Sequence, residues 1–268
     1  MTHKDKYVRV LTALCLAHIL CLDAPDHPFS VEQLENICSL FLHQIALVFN
    51  TEGPFYLSYF QLFDLLNSHY CGSIITELDD ADELMLDFCN SAFNSINQQT
   101  PSNLFEITRS FIFQMISSAQ SIPFDFVKTL LLQTQKNLPE QARSKDLAIA
   151  IIKSSCTKLH RHVAHYFSEM LVHDFEDDDD DQEPLKKKGP SKSIIAAHSL
   201  IVTLNSIAPE LLMTVIPQLE EEMTIDIIKI RVLALETVTS IIISQSSQFI
   251  SQWPNVWRIW SERFFKLI

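Results

Sequence analysis

Five side chains, His69, Cys71, His160, His162 and His165, are of the types that ligate zinc. His162 and His165 could share one face of a helix, but no second pair at ligand spacing follows them. Solvent-facing or packing histidines are therefore the preferred reading, and no metal site is assigned. Asp79, Asp80, Asp82 and Glu83 resemble a carboxylate cluster suited to acid–base work. They directly precede the apolar Leu84-Met85-Leu86, where negative charge favours the amino end of a helix, and that role is preferred. No nucleophile elbow, paired-histidine zinc motif, phosphate loop or dinucleotide fingerprint occurs. The chain has only 3 glycines, at Gly53, Gly72 and Gly189, so a phosphate-cradling loop has little to be built from. No catalytic residue is assigned, and the expectation is that the chain is not an enzyme.

The elements that position these residues are helices. Of 268 residues, 47% are apolar, ample for a core. Leucine, isoleucine and 18 phenylalanines fall in runs of helical length broken by Pro, Asn and Ser. The pattern predicts helices near 4–22, 31–48, 54–75, 80–97, 101–118, 122–136, 139–155, 158–172, 192–206, 208–221, 224–244 and 250–266. Ser30 with Gln33 forms a reciprocal cap before the second. Pro123, Pro139 and Pro209 stand near helix starts, where a missing amide donor costs little.

About a dozen helices with short joins make roughly six antiparallel pairs, a period near 40 residues that suits helical-hairpin solenoids. A closed irregular bundle is the main alternative. Two stretches look like the second helix of such a hairpin: Asp5 with Arg9 leads into Val10–Leu20, and Asp226 with Arg231 leads into Val232–Val238. The acid would sit at the helix start and the base would bridge to a neighbour. Such a chain works through its surfaces.

The net charge of −13 opposes strong direct nucleic-acid binding and reads as solvation or attraction to a basic partner. Six cysteines without a close pair read as reduced, mostly buried thiols of an intracellular protein. No secretory signal or uncharged span of membrane length is visible, so no membrane role is expected. The acidic run Asp174–Glu183 followed by Lys186-Lys187-Lys188 reads as a solvated loop. This divides the chain into helical segments 1–172 and 192–268, continuing one solenoid across the loop 173–191.

Three surface features remain. Leu22-Asp23-Ala24-Pro25-Asp26-His27-Pro28-Phe29 places two prolines three residues apart before an aromatic. It reads as an inter-helix turn or as a rigid corner for docking a short peptide. Lys4, Lys6 and Arg9 gather near the first helix, as plain surface charge or as contacts for an anionic small molecule or acidic peptide. Trp253, Trp257, Trp260, Phe264 and Phe265, with Arg258 and Arg263, form a stripe read as core or next-repeat packing rather than a ligand box.

His3–Arg9 with Cys15-Leu16-Ala17, Ala24–Phe29, Tyr59–Phe63, Phe93–Asn97, Val215–Glu220 and Val256–Phe264 form a set of blocks. Together they resemble the amino-terminal region of the PDS5 family of cohesin-associated sister-chromatid cohesion proteins. The resemblance implies an all-α, HEAT-repeat (ARM-like) α-solenoid of about twelve helices wound as a right-handed superhelix. It implies a non-enzymatic scaffold in the nucleus, associated with chromatin indirectly. This scaffold would bind the kleisin subunit of cohesin and a WAPL-like releasing factor, or factors that protect cohesin. Partner-peptide docking would fall on Ala24, Pro25, Asp26, Pro28 and Phe29. His27 replaces a small residue of the family pattern, and Phe29 replaces a tyrosine and so lacks its hydroxyl. No cofactor is required, but some members bind inositol hexakisphosphate, a role that would fall on Lys4, Lys6 and Arg9. A nuclear-transport or generic HEAT-repeat adaptor is the alternative function.

Overall fold

A computed structural model describes residues 3–23, 28–172, 190–245, 250–251 and 253–267. Among them are twelve α-helices, three 3-10 turns and no strand. The chain is all-α, with neighbouring helices packed in hairpins as in a HEAT-repeat solenoid. They belong to two compact units, Met1–Ser155 and Cys156–Ile268. The expected acidic loop lies almost wholly outside the described residues.

In the first unit, α1 (Lys6–Asp23) starts at Asp5, whose Oδ1 accepts the amides of Tyr7 at 2.7 Å and Val8 at 3.4 Å. The acid thus sits at the helix start as expected. The base does something different. Arg9 Nη1 folds back and donates to the His3 carbonyl at 2.7 Å, pinning the segment before α1 instead of bridging to a neighbouring helix. Val10, Ala13, Leu14, Ala17 and Leu20 recur at helical spacing and are buried. They meet α2 (Val31–Ile45) and α3 (Tyr56–Ser68). At the start of α2, Ser30 Oγ accepts the Gln33 amide at 3.3 Å, and the Gln33 side chain accepts the Ser30 amide at 3.0 Å. A 3-10 turn, Ala46–Phe49, follows α2 directly. Tyr7 stacks on Phe55 with centroids 5.2 Å apart, joining the first turn of α1 to the entrance of α3.

The predicted helix 54–75 is divided. Tyr70 adopts φ 56°, a left-handed conformation costly for a side chain of its size, and α4 (Cys71–Ile75) departs in a new direction. This brings α4 onto α6 (Ser102–Ser118) at close range. A Cβ on Gly72 would lie 3.0 Å from Gln114 Cβ and 3.2 Å from the Phe111 carbonyl oxygen. The Gln114 Nε2 donates to the Asn67 carbonyl at 2.8 Å and to Asn67 Oδ1 at 3.0 Å, tying the corner down. Gly72→Ala should therefore destabilise the first unit by about 1–3 kcal/mol, the range for overpacking a filled interior. Urea unfolding followed by circular dichroism measures it; an unchanged midpoint would mean that α4 can move away.

The helix α5 (Ala81–Ser95) begins beside the carboxylates Asp79, Asp80, Asp82 and Glu83, and Asp82 and Glu83 occupy its first turn. Phe63 of α3, Phe88 of α5 and Phe111 of α6 form a buried edge-to-face triad with centroids 5.4–6.0 Å apart. The next helix, α7 (Phe124–Gln133), packs against α5.

The predicted helices 139–155 and 158–172 are one. A 3-10 turn, Pro139–Gln141, opens into α8 (Ala142–Val172), 31 residues long. No proline or glycine lies between 142 and 172 to interrupt it. Ser154 Oγ donates to the Ile151 carbonyl at 3.0 Å within the helix.

The second unit contains the later part of α8, then α9 (Lys192–Ile207), capped by Ser191 Oγ accepting the Ile194 amide at 3.2 Å. The predicted helix 208–221 becomes a 3-10 turn, Pro209–Thr214, and a short α10 (Ile216–Glu222). Pro217 lacks the amide that a continuous helix would need at that point, so the helix restarts around it. α11 (Ile228–Gln245) lies against α9 and α10, and α12 (Pro254–Leu267) against α10. The Trp257 and Trp260 rings stack at 5.1 Å, and Trp260 Nε1 donates to Thr239 Oγ1 at 3.2 Å. At these two tryptophans the stripe packs against its own unit, as expected.

One polar cluster is buried in this second core. His198 Nδ1 lies 2.9 Å from Thr237 Oγ1, and Nε2 lies 3.2 Å from Glu222 Oε2. The Thr237 hydroxyl donates to the Leu233 carbonyl, so Nδ1 must carry the proton shared with its oxygen. The Nε2–Oε2 approach is a close polar contact without hydrogen-bond geometry, and neither Glu222 oxygen has a hydrogen-bond partner.

Candidate functional site

The first unit carries a cleft of about 550 Å³ where the segment before α1 meets α2. Its basic wall is His3, Lys4 and Arg9. Arg9 shapes that wall: its bond to the His3 carbonyl holds the segment bent, and a longer contact reaches the Lys4 carbonyl at 3.4 Å. His3 Nδ1 accepts the Asp5 amide at 3.2 Å, which leaves Nε2 as the protonated ring nitrogen. The opposite wall is one face of α2, where Asn36, Ser39 and His43 succeed one another at turns of the helix. Gln44 has no exposed surface, yet neither its amide nitrogen nor its oxygen meets a hydrogen-bond partner. A buried amide left unmade costs about 1–3 kcal/mol, so its place beside a cleft is informative.

Lys4 and Arg9, singled out in the sequence, are thus brought together, whereas Lys6 is exposed and does not line the cleft. The contributions of His3, Asn36, Ser39, His43 and Gln44 were missed as a group. The 36, 39, 43 spacing on α2 was the legible signal, but nothing local says that this face turns toward the amino-terminal segment. The cleft offers hydrogen-bond donors and positive charge, with no carboxylate among the described residues that line it, so it suits an anion.

Of the proline-bearing segment between α1 and α2, Ala24, Pro25, Asp26 and His27 lie outside the described residues. Pro28 is exposed and Phe29 half-buried, immediately before the capped start of α2. Leu22, in the last turn of α1, is 82% exposed.

The thiols are single: none of the six cysteines is in a disulfide. Burial pushes Cys38 and Cys71 up to about 12, and Cys21 is also raised by burial, partly countered by a hydrogen bond with Cys71. Protonated thiols of this kind are poor nucleophiles. His162 and His165 do not build a metal site, and among the described residues no group of three or more His, Cys, Asp or Glu could hold a metal ion. No helix among them is long and apolar enough to cross a membrane.

Packed helical hairpins of this kind define a helical-repeat protein. A family model described as sister chromatid cohesion protein PDS5 matches residues 1–265. The chain belongs to that family. It is 28% identical over 266 residues to the sister chromatid cohesion protein pds5 of Schizosaccharomyces pombe, covering 95% of this chain and 21% of that protein. It is 26% identical over 269 residues to the human sister chromatid cohesion protein PDS5 homolog B, covering 98% of this chain and 18% of the relative. The chain therefore spans about a fifth of the length of these curated relatives. Its fold is similar, at a TM-score of 0.81 and 23% identity, to a chain in a structure described as that of the Pds5-Scc1 complex, with implications for cohesin function. The match covers 96% of this chain and 39% of the other.

Proposed function

We propose that this chain is a non-enzymatic scaffold that regulates sister-chromatid cohesion, acting in the nucleus on chromosome-associated cohesin. Its partners are the kleisin subunit of cohesin and a WAPL-like releasing or protecting factor, and it meets chromatin through them. The observation that carries this reading is the family match over residues 1–265. Scaffolding also suits a chain of packed helices that carries an anion-friendly cleft. Docking of a short regulator peptide falls on the corner of Ala24, Pro25, Asp26, Pro28 and Phe29. Anion contact falls on Lys4 and Arg9 with His3 and His43, for inositol hexakisphosphate or an acidic peptide.

The test is titration of the purified chain with peptides from the kleisin and WAPL-like proteins of the same organism. Saturable binding is expected; a folded sample that binds none of them would refute the reading. Phe29→Ala is expected to weaken the regulator peptide about tenfold or more, as loss of an interface anchor does, at matched helicity. Equal affinity of the two proteins would remove the corner from the docking surface.

A further inference from the structure

The basic cleft does not end at His43. A second groove of about 400 Å³ runs between α2 and α5, and Ser39 and His43 line both. The two openings therefore adjoin across the edge of α2 that carries Ser39 and His43. Their chemistry differs. The first offers Lys4, Arg9 and the protonated nitrogen of His3, with the unpartnered Gln44 amide beside them. The second is walled by Leu42, Ala46, Leu84 and Phe88, with Asp87 and Ser91 on the α5 side, so negative charge on a ligand belongs at the first opening and not here. No small inorganic anion would use the second groove, and no purely apolar ligand would satisfy the first.

We propose that the two grooves form one trough for a short acidic peptide, with a carboxylate at the basic end and an apolar side chain over Leu84 and Phe88. This rests on reading the cleft as an anion site and names its occupant. Charge complementarity supports it, because a cationic recess on a chain of net charge −13 is a local exception to the overall field. Gln44 supports it independently, since a peptide backbone supplies both the donor and the acceptor that a carboxamide lacks here.

The experiment is fluorescence anisotropy with the full chain and a labelled ten-residue peptide carrying Asp-Glu followed, two residues later, by Leu-Phe. Saturable binding is expected, weakening with added salt. Affinity should fall about tenfold or more when the probe carries Asn-Gln in place of Asp-Glu, when it carries Ser-Ser in place of Leu-Phe, and in His43→Ala. Gln44→Leu should also weaken it while the melting temperature holds or rises, because that change removes an unpaired buried amide. A lower melting temperature in Gln44→Leu with unchanged affinity would overturn the role given to Gln44. Equal binding of the Ser-Ser probe would overturn the trough. If inositol hexakisphosphate binds and the peptide does not, the trough fails while the anion site stands. If neither binds, both fail.

Discussion

Phe111→Ala is expected to destabilise the first unit by about 3–5 kcal/mol, the usual cost of truncating a fully buried phenylalanine. Phe111 has no exposed surface and meets Phe63 and Phe88 edge to face, each at 5.4 Å. Its removal loses the transfer term, leaves a cavity bounded by α3, α5 and α6, and deletes two aromatic pairs at once. The surroundings cannot collapse easily, since the Phe111 carbonyl and Gln114 already hold α4 at contact distance through Gly72. Phe111→Leu should cost less, about 1–2 kcal/mol, because much of the volume remains. Urea denaturation gives both numbers. A cost for alanine below about 1 kcal/mol would mean that the triad is loosely packed.

The second large effect lies in the other core. Breaking the His198–Glu222 contact from one side, by Glu222→Ala, should cost about 3–5 kcal/mol, because the buried imidazole then faces a cavity in place of its polar neighbour. Both side chains are almost fully buried, so water cannot replace the lost partner. Replacing both, by His198→Leu with Glu222→Leu, should cost much less than the two single changes added together, since no polar group is stranded. Thr237 keeps its own bond to the Leu233 carbonyl in every variant. A double-mutant cycle measured by urea unfolding decides it: single costs that add within about 0.5 kcal/mol would show that the pair does not couple.

The pair also illustrates where sequence reading stops. His198 stands on α9, Glu222 ends α10 and Thr237 lies midway along α11. No short-range spacing connects them. The same holds for Gln44, which lies among the buried residues of α2 and gains meaning only beside the cleft.

What the amino-acid order determined by itself is local. Runs of apolar residues at helical spacing made the chain all-α, with the Val10–Leu20 stripe buried as its periodicity required. Ser30 with Gln33 capped α2, and Asp5 capped α1, because those bonds form between residues two or three positions apart. The family likeness was equally legible, since it rests on short blocks read in order. Tertiary packing decided the rest. It bent the chain at Tyr70 so that Gly72 could approach Gln114, and it carried α8 through Ser154 and Ser155 as one helix. It also gathered His3, Lys4 and Arg9 against Ser39 and His43 while leaving Lys6 outside. The physical reason is the same in each case. Caps and periodicity act over a single turn, whereas the direction of a helix face depends on every hairpin packed against it.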